Sequence, residues 1–369
     1  MSGPRGGIDF AFVAAPVGED GLSDAALYKE ILADCDFAHR AGFRAAWMIE
    51  HHFSDYFPTP NPLAFLSHIA ARFPDFALGT CVLVTPWYEP LRLAEEIAQL
   101  NLLTDQPLHM GLGRGTAKYE YDAFGVPMEE SRQRFREVWE IVSTALAGGR
   151  FRYEGKYLTV PTRVELRPRS DTSKINFYGA VGGSPDSGAV MAALGLPPIM
   201  TAFSNLPLQR EALGGWKEAA QARGMDVDAC RYPMMINCII ADTDDEAYDL
   251  AKRYIPRFQQ AQIDHYEADD GHFETLSTYT AWAKIFAKMK ARTDPDNIPP
   301  WADGQFVGSP ETVRQRVADY VDAGFNSFLI HTATPGVPRR HRQAWLGRFA
   351  DEVAPYFEGG EALRAAAGA

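Results

Sequence analysis

Cysteine is scarce: Cys35, Cys81, Cys230 and Cys238 are the four in 369 residues, with no CxxC pair and no metal-ligand spacing. That excludes a disulfide-stapled scaffold and a zinc ribbon, and reads as free thiols in a reducing compartment. Positive charge is also in deficit, with 36 Lys and Arg against 48 Asp and Glu, a net of −12. Nonspecific binding to nucleic acid or to an anionic membrane needs a positive field and is excluded as a main role. An anionic cofactor would need local arginines. No apolar run approaches the roughly 20 residues of a membrane-spanning helix. Met1 to Gly7 lacks the apolar core of a signal peptide, so a soluble, cytoplasmic protein is expected. The turn after the first apolar segment lacks GxGxxG, which argues against a Rossmann dinucleotide site.

What is present is ordinary globular material, 46% apolar and 23% charged. Short apolar runs begin at Ile8, Ala45, Phe76, Leu108, Ile175, Pro198, Met234 and Ser327. Amphipathic segments follow them, including 24–41, 62–72, 90–102, 131–146, 187–194, 208–223, 244–254 and 339–356. Eight strand–helix units, each with a connection long enough for a right-handed crossover, predict a closed (β/α)8 TIM barrel in a single domain. Two stretches break the rhythm. Tyr153 to Tyr157, turning at Gly155, predicts a β-hairpin insertion near 151–166. The acidic, aromatic segment near 256–305 predicts a partly helical insertion that serves as lid or pocket wall.

Chemistry concentrates where strands end. Glu50-His51-His52-Phe53 closes the second apolar run and brings two imidazoles and a carboxylate to the end of a sheet, where parallel α/β proteins place their sites. Local hydrogen bonding is the alternative for either histidine, and neighbours on a strand do not easily share one pocket. Gly111-Leu112-Gly113-Arg114-Gly115 offers close backbone approach and a guanidinium fork for phosphate, or a plain turn. Ser131-Arg132 opens a helix where a second guanidinium could share that anion. Gly182-Gly183-Ser184-Pro185-Asp186-Ser187 leads into another helix, as an anion site or only as its cap.

These motifs, in this order, resemble the bacterial luciferase-like, flavin-dependent monooxygenase family. Phe124-Gly125, Asn61-Pro62, Leu78-Gly79-Thr80, Pro90 to Glu95 and Gly308 to Thr312 extend the likeness over nearly the whole chain. The resemblance implies a TIM barrel binding reduced FMN at the C-terminal ends of its strands. Carried over by position, Arg114, Arg132, Ser184 and Ser187 would hold the phosphate. His51 matches the catalytic histidine and His52 its neighbour. Cys81 and Val82 would form a non-prolyl cis peptide beside the flavin ring. Gly113 stands where luciferases carry a reactive cysteine, and Gly183 where they place a glutamate near the phosphate. Those two contacts therefore depart from the family pattern.

The family likeness also implies a two-component monooxygenase. FMNH2 would come from a separate NAD(P)H:flavin reductase and react with O2 to a C4a-hydroperoxyflavin, oxygenating a small, hydrophobic organic substrate in a homodimeric enzyme. Phe53, Trp87, Tyr88, Tyr119, Tyr279 and Trp282 are candidate substrate-pocket walls, with ordinary packing as the alternative. Two rival readings remain: an F420-dependent oxidoreductase on the same fold, and a non-catalytic flavin-binding or partner subunit. Asp264, His265, Asp269, Asp270 and His272 match no standard ligand pattern and read as a solvated acidic loop, so no metal is expected.

Overall fold

The computed structural model describes residues 7–182 and 186–357. Its strands are β1 (Asp9–Ala14), β2 (Ala45–Met48), β3 (Ala77–Val84), β4 (Leu108–Gly113), β5 (Phe151–Glu154), β6 (Thr159–Val164), β7 (Ile175–Ala180), β8 (Pro198–Thr201), β9 (Pro233–Ile240), β10 (Phe306–Gly308) and β11 (Ser327–His331). All eight apolar runs become strands of one parallel sheet, in the order β1-β2-β3-β4-β7-β8-β9-β11. Pairing of β11 with β1 and of β8 with β9 closes it into a barrel.

Alternation along the strands separates two cores. Phe10, Phe12, Leu112 and Ile330 face the surrounding helices. Ala11, Val13, Trp47, Met235 and Leu329 fill the barrel interior. Trp47 lies flat against Gly79, where an added Cβ would come within 2.3 Å of the indole. The early helices begin where their caps predict. The Ser23 side chain accepts from Ala26 N–H, Asn61 from Ala64 N–H before Pro62, and Glu89 from Arg92 N–H before Pro90. Strands β5 and β6 form the antiparallel hairpin, whose turn N–H groups at Lys156, Tyr157 and Leu158 donate to Glu137.

The segment from Pro256 corrects a sequence expectation. The helix Asp244–His265 continues through Pro256 instead of ending before it. Proline in a helix interior costs about 3 kcal/mol. Burial of Ala247, Ala251, Tyr254, Ile255 and Phe258 along one face exceeds that cost. The rest of the insertion holds the helices His272–Thr275, Thr280–Ala291 and Pro299–Ala302. Strand β10 and the helices Lys118–Ala123 and Pro310–Asp322 were not legible as elements beforehand. Among the described residues, no helix is long and apolar enough to cross a membrane.

Candidate active site

Period-two alternation continues past the end of β2. Trp47 and Ile49 point into the barrel, and His51 follows them into a cavity of about 540 Å³ at the C-terminal ends of the strands. Most of its wall is apolar, from Val82, Ile199, Phe203, Met235, Phe258 and Trp282, with Asn237 and His331 as polar members.

Glu120 organises the His51 side of this cavity. Its Oε1 accepts from the His52 backbone N–H at 2.7 Å and lies 3.3 Å from His51 Nδ1 and 3.4 Å from His265 Nε2. The two imidazole nitrogens are 3.1 Å apart, Ser54 Oγ meets His265 Nδ1 at 2.7 Å, and Tyr266 Oη faces His51 Nε2 at 3.5 Å. Burial alone would raise the Glu120 pKa, but the hydrogen bonds from His265 and His51 outweigh it and hold the carboxyl well below the ordinary carboxylate range. Desolvation pushes His265 down to about 4, so its ring is neutral. His51, Glu120 and His265 form a group close enough to ligate a metal ion. We read it as a hydrogen-bonded hub, because one ionised oxygen faces three N–H donors. His265 thereby corrects the solvated-loop expectation: it closes the long helix and is 5% exposed.

At the other end, Arg114 presents a buried Nη1 with no partner among the described residues. Its guanidinium sits 4.7 Å over the Tyr279 ring, and the Tyr279 hydroxyl donates to Gly115 O at 3.0 Å with Ser131 Oγ 2.9 Å away. Tyr121 Oη donates to the Arg114 carbonyl. Arg132, Arg136 and Ser187 line the same end. Between the two ends the wall is formed by Gly113 under Val82: a Cβ on Gly113 would fall 2.4 Å from Val82 Cγ2, and one on Gly111 further down the strand 2.2 Å from Thr80 O. The Cys81–Val82 peptide beside it is cis. A buried guanidinium nitrogen without a hydrogen-bond partner among the described residues, at one end of a cavity walled by Gly113 and Val82, fits the phosphate and ring of a flavin nucleotide.

The sequence model of luciferase-like monooxygenases matches residues 9–327. The chain belongs to that family. The flavin-dependent trigonelline monooxygenase oxygenase component of Acinetobacter baylyi is 24% identical over 90% of each chain. An uncharacterized protein of Sinorhizobium fredii, y4vJ, is 34% identical over 39% of this chain and only 42% of its own length. Among solved structures, monooxygenase RslO1 from Streptomyces bottropensis aligns with TM-score 0.79 at 23% identity, over 95% of this chain and 99% of that one. The FMN complex of the oxygenating constituent of 3,6-diketocamphane monooxygenase from Pseudomonas putida aligns at 0.72 and 19%, with the same coverage. An F420-dependent secondary alcohol dehydrogenase aligns at 0.71 and 14%, over 92% and 97%. At these identities the structures establish the shared barrel.

In this luciferase-like chain the cavity brings together His51, Cys81, Val82, Gly113, Arg114, Arg132, Ser187 and Trp282. Gly183 and Ser184 lie outside the described residues. His52 is a correction: the next residue after an inward one points away, and its Nε2 donates to Glu50 Oε1 at 2.9 Å, outside the cavity wall. Trp87 and Tyr88 are likewise corrected as substrate walls. Their polar atoms are tied to Glu50, Trp87 Nε1 at 3.1 Å and Tyr88 Oη at 2.9 Å, and Glu50 also takes Val84 N–H. Phe53 and Tyr119 belong to an exposed aromatic group with Phe124. Tyr279 backs Arg114 and does not line the cavity. Glu120, Asn237 and His331 also belong to the site, and no local motif in the sequence marks them.

Proposed function

We propose that this chain is the oxygenase component of a two-component system. It takes FMNH2 from a separate NAD(P)H:flavin reductase and uses O2 to oxygenate a small, mainly hydrophobic substrate. The observation that carries this reading is the buried Arg114 Nη1 without a hydrogen-bond partner among the described residues, at one end of a cavity that has Gly113 and Val82 in its wall and His51 across it. Arg114, Arg132 and Ser187, with Ser184 as a further candidate from the sequence, would hold the phosphate, and Gly113 and Val82 would support the ring. Reduced flavin would supply the electrons that activate oxygen.

This chain's own residues would do the rest. The apolar wall excludes water from the reacting centre. Glu120 fixes the His51 ring through Nδ1, leaving Nε2 toward the cavity to hold or deliver a proton. Phe258, Gln262, Tyr266 and Trp282 extend from the 256–305 region into the cavity wall, in keeping with a lid. A cytoplasmic homodimer is part of the proposal. The F420 reading is the rival, since an F420-dependent dehydrogenase shares the fold.

Titration with FMN and with riboflavin tests the phosphate end. Charge-assisted bonds to a buried guanidinium should favour FMN by about 1.5–3 kcal/mol, roughly 10- to 100-fold. Arg114→Ala should narrow that preference several-fold, leaving what Arg132 and Ser187 supply. Equal affinities in the wild type, or an FMN preference undiminished in Arg114→Ala, would contradict this assignment.

A further inference from the structure

His331 ends β11 with its side chain inside the barrel, two residues beyond the inward Leu329 and paired in register with Asn237 of β9. Its hydrogen-bonding state follows from a chain of fixed donors and acceptors. Ala202 O can only accept, so the group that meets it at 2.7 Å is the Gln305 amide nitrogen Nε2. Gln305 Oε1 then accepts from Asn237 N–H and from Asn237 Nδ2, both at 3.0 Å. That turns Asn237 Oδ1 toward His331 Nδ1 at 3.1 Å, where an amide oxygen can only accept. Nδ1 therefore carries the ring proton. Desolvation pushes the His331 pKa down to about 4, so the ring is neutral and Nε2 bears a lone pair. This atom is buried, in a residue 3% exposed, and has no partner among the described residues. Phe57 and Phe258 flank the ring, at centroid distances of 5.6 and 5.9 Å, and all three residues line the cavity.

From this arrangement we infer that the substrate is a mainly apolar molecule carrying a hydroxyl or N–H group, which donates to His331 Nε2. A buried acceptor left unpaired is costly, and a ligand donor would remove that cost. A ligand lacking the donor fills the same apolar space and leaves Nε2 unpaired, which is how a site built around one hydrogen bond discriminates. His331 is thus a specificity-determining residue. The inference rests on the oxygenase reading for the fate of the ligand, not for its binding.

The probes are p-cresol and 4-methylanisole, matched in shape and differing in the donor. Calorimetric titration would follow both, in wild type and His331→Phe, with and without bound FMN. Wild type should favour p-cresol about 10-fold relative to the variant. Long-range ¹H–¹⁵N correlation of histidine-labelled wild type keeps the test independent of the variant's folding. Nε2 of His331 should be unprotonated, and its resonance should move with p-cresol and not with the ether. Equal binding, uptake of neither at millimolar concentration, a preference retained in His331→Phe, or a protonated Nε2 would overturn the inference. A preference that vanishes once FMN is bound would assign the acceptor to the flavin and overturn it too. A protein that prefers p-cresol but binds no FMN would sink the oxygenase reading and leave the inference standing.

Discussion

Replacing Glu120 by Gln and by Ala separates charge from geometry at the His51 hub. Gln keeps a carbonyl oxygen for the His52 N–H, now 2.7 Å away, but gives up the negative charge facing two imidazoles at 3.3 and 3.4 Å. Bonds to a charged acceptor contribute about 1.5–3 kcal/mol against about 0.5–1.5 for neutral ones. One short and two longer contacts then give a loss of about 2–3 kcal/mol. Ala leaves three buried donors with no acceptor, at about 1–3 kcal/mol each, and should cost about 4–6 kcal/mol. At about 1.3 °C per kcal/mol for a chain of this size, melting should fall by about 3–4 °C for Gln and about 5–8 °C for Ala. The His51 ring would also lose the contact that orients it, lowering turnover about 100-fold in Glu120→Ala. FMN affinity should hold, because Arg114 does not touch Glu120. Both variants melting within about 1 °C of wild type would refute the hub. So would a stoichiometric divalent metal in purified wild type that Glu120→Gln removes, since His51, Glu120 and His265 would then be ligands.

Stability should also fall on mild acidification. Burial lowers His109, His265 and His331 to about 4, below the ordinary 6.5, so the unfolded chain takes up protons first as pH drops through that window. Stability is then full above about pH 6.5 and declines toward pH 4. At pH 5 the loss is about 2 kcal/mol for each histidine. Chemical denaturation at pH 7.5 and 5 checks this, and His331→Phe should remove about a third of the slope; equal stability at both pH values would contradict it. Gly113→Ala should weaken FMN binding about 10-fold by pushing on Val82 Cγ2, and adding Val82→Ala should restore much of it. Fluorescence titration of the single and double variants reads this directly, and additive losses would rule out the steric explanation.

The barrel was legible because its strands are short apolar runs, each followed by a helix with a strong start signal, as at Ser23, Asn61 and Glu89. His51 was legible for a related reason: alternation along β2 decides which imidazole enters the cavity. That same rule excludes His52, which a likeness to other sequences carried along. Glu120 was not legible because it sits in a six-residue helix with no periodic signal. Its partner His265 comes from a distant helix whose passage through Pro256 was decided by tertiary burial over local propensity. Tyr279 was assigned to a pocket wall as an aromatic residue in an insertion, and only the fold shows its ring beneath Arg114. The polar chain from Ala202 to His331 joins four separate segments and has no sequence signature.

The most direct test of the central claim is anaerobic titration with FMNH2 and, separately, with reduced F420, followed by rapid mixing with oxygenated buffer. The account predicts saturable FMNH2 binding and an oxidised-flavin absorbance that returns more slowly than for free FMNH2, with His51→Ala changing that rate. Preferential binding of reduced F420, with FMNH2 oxidised at its free rate, would contradict the account and leave a hydride-transfer enzyme on this barrel.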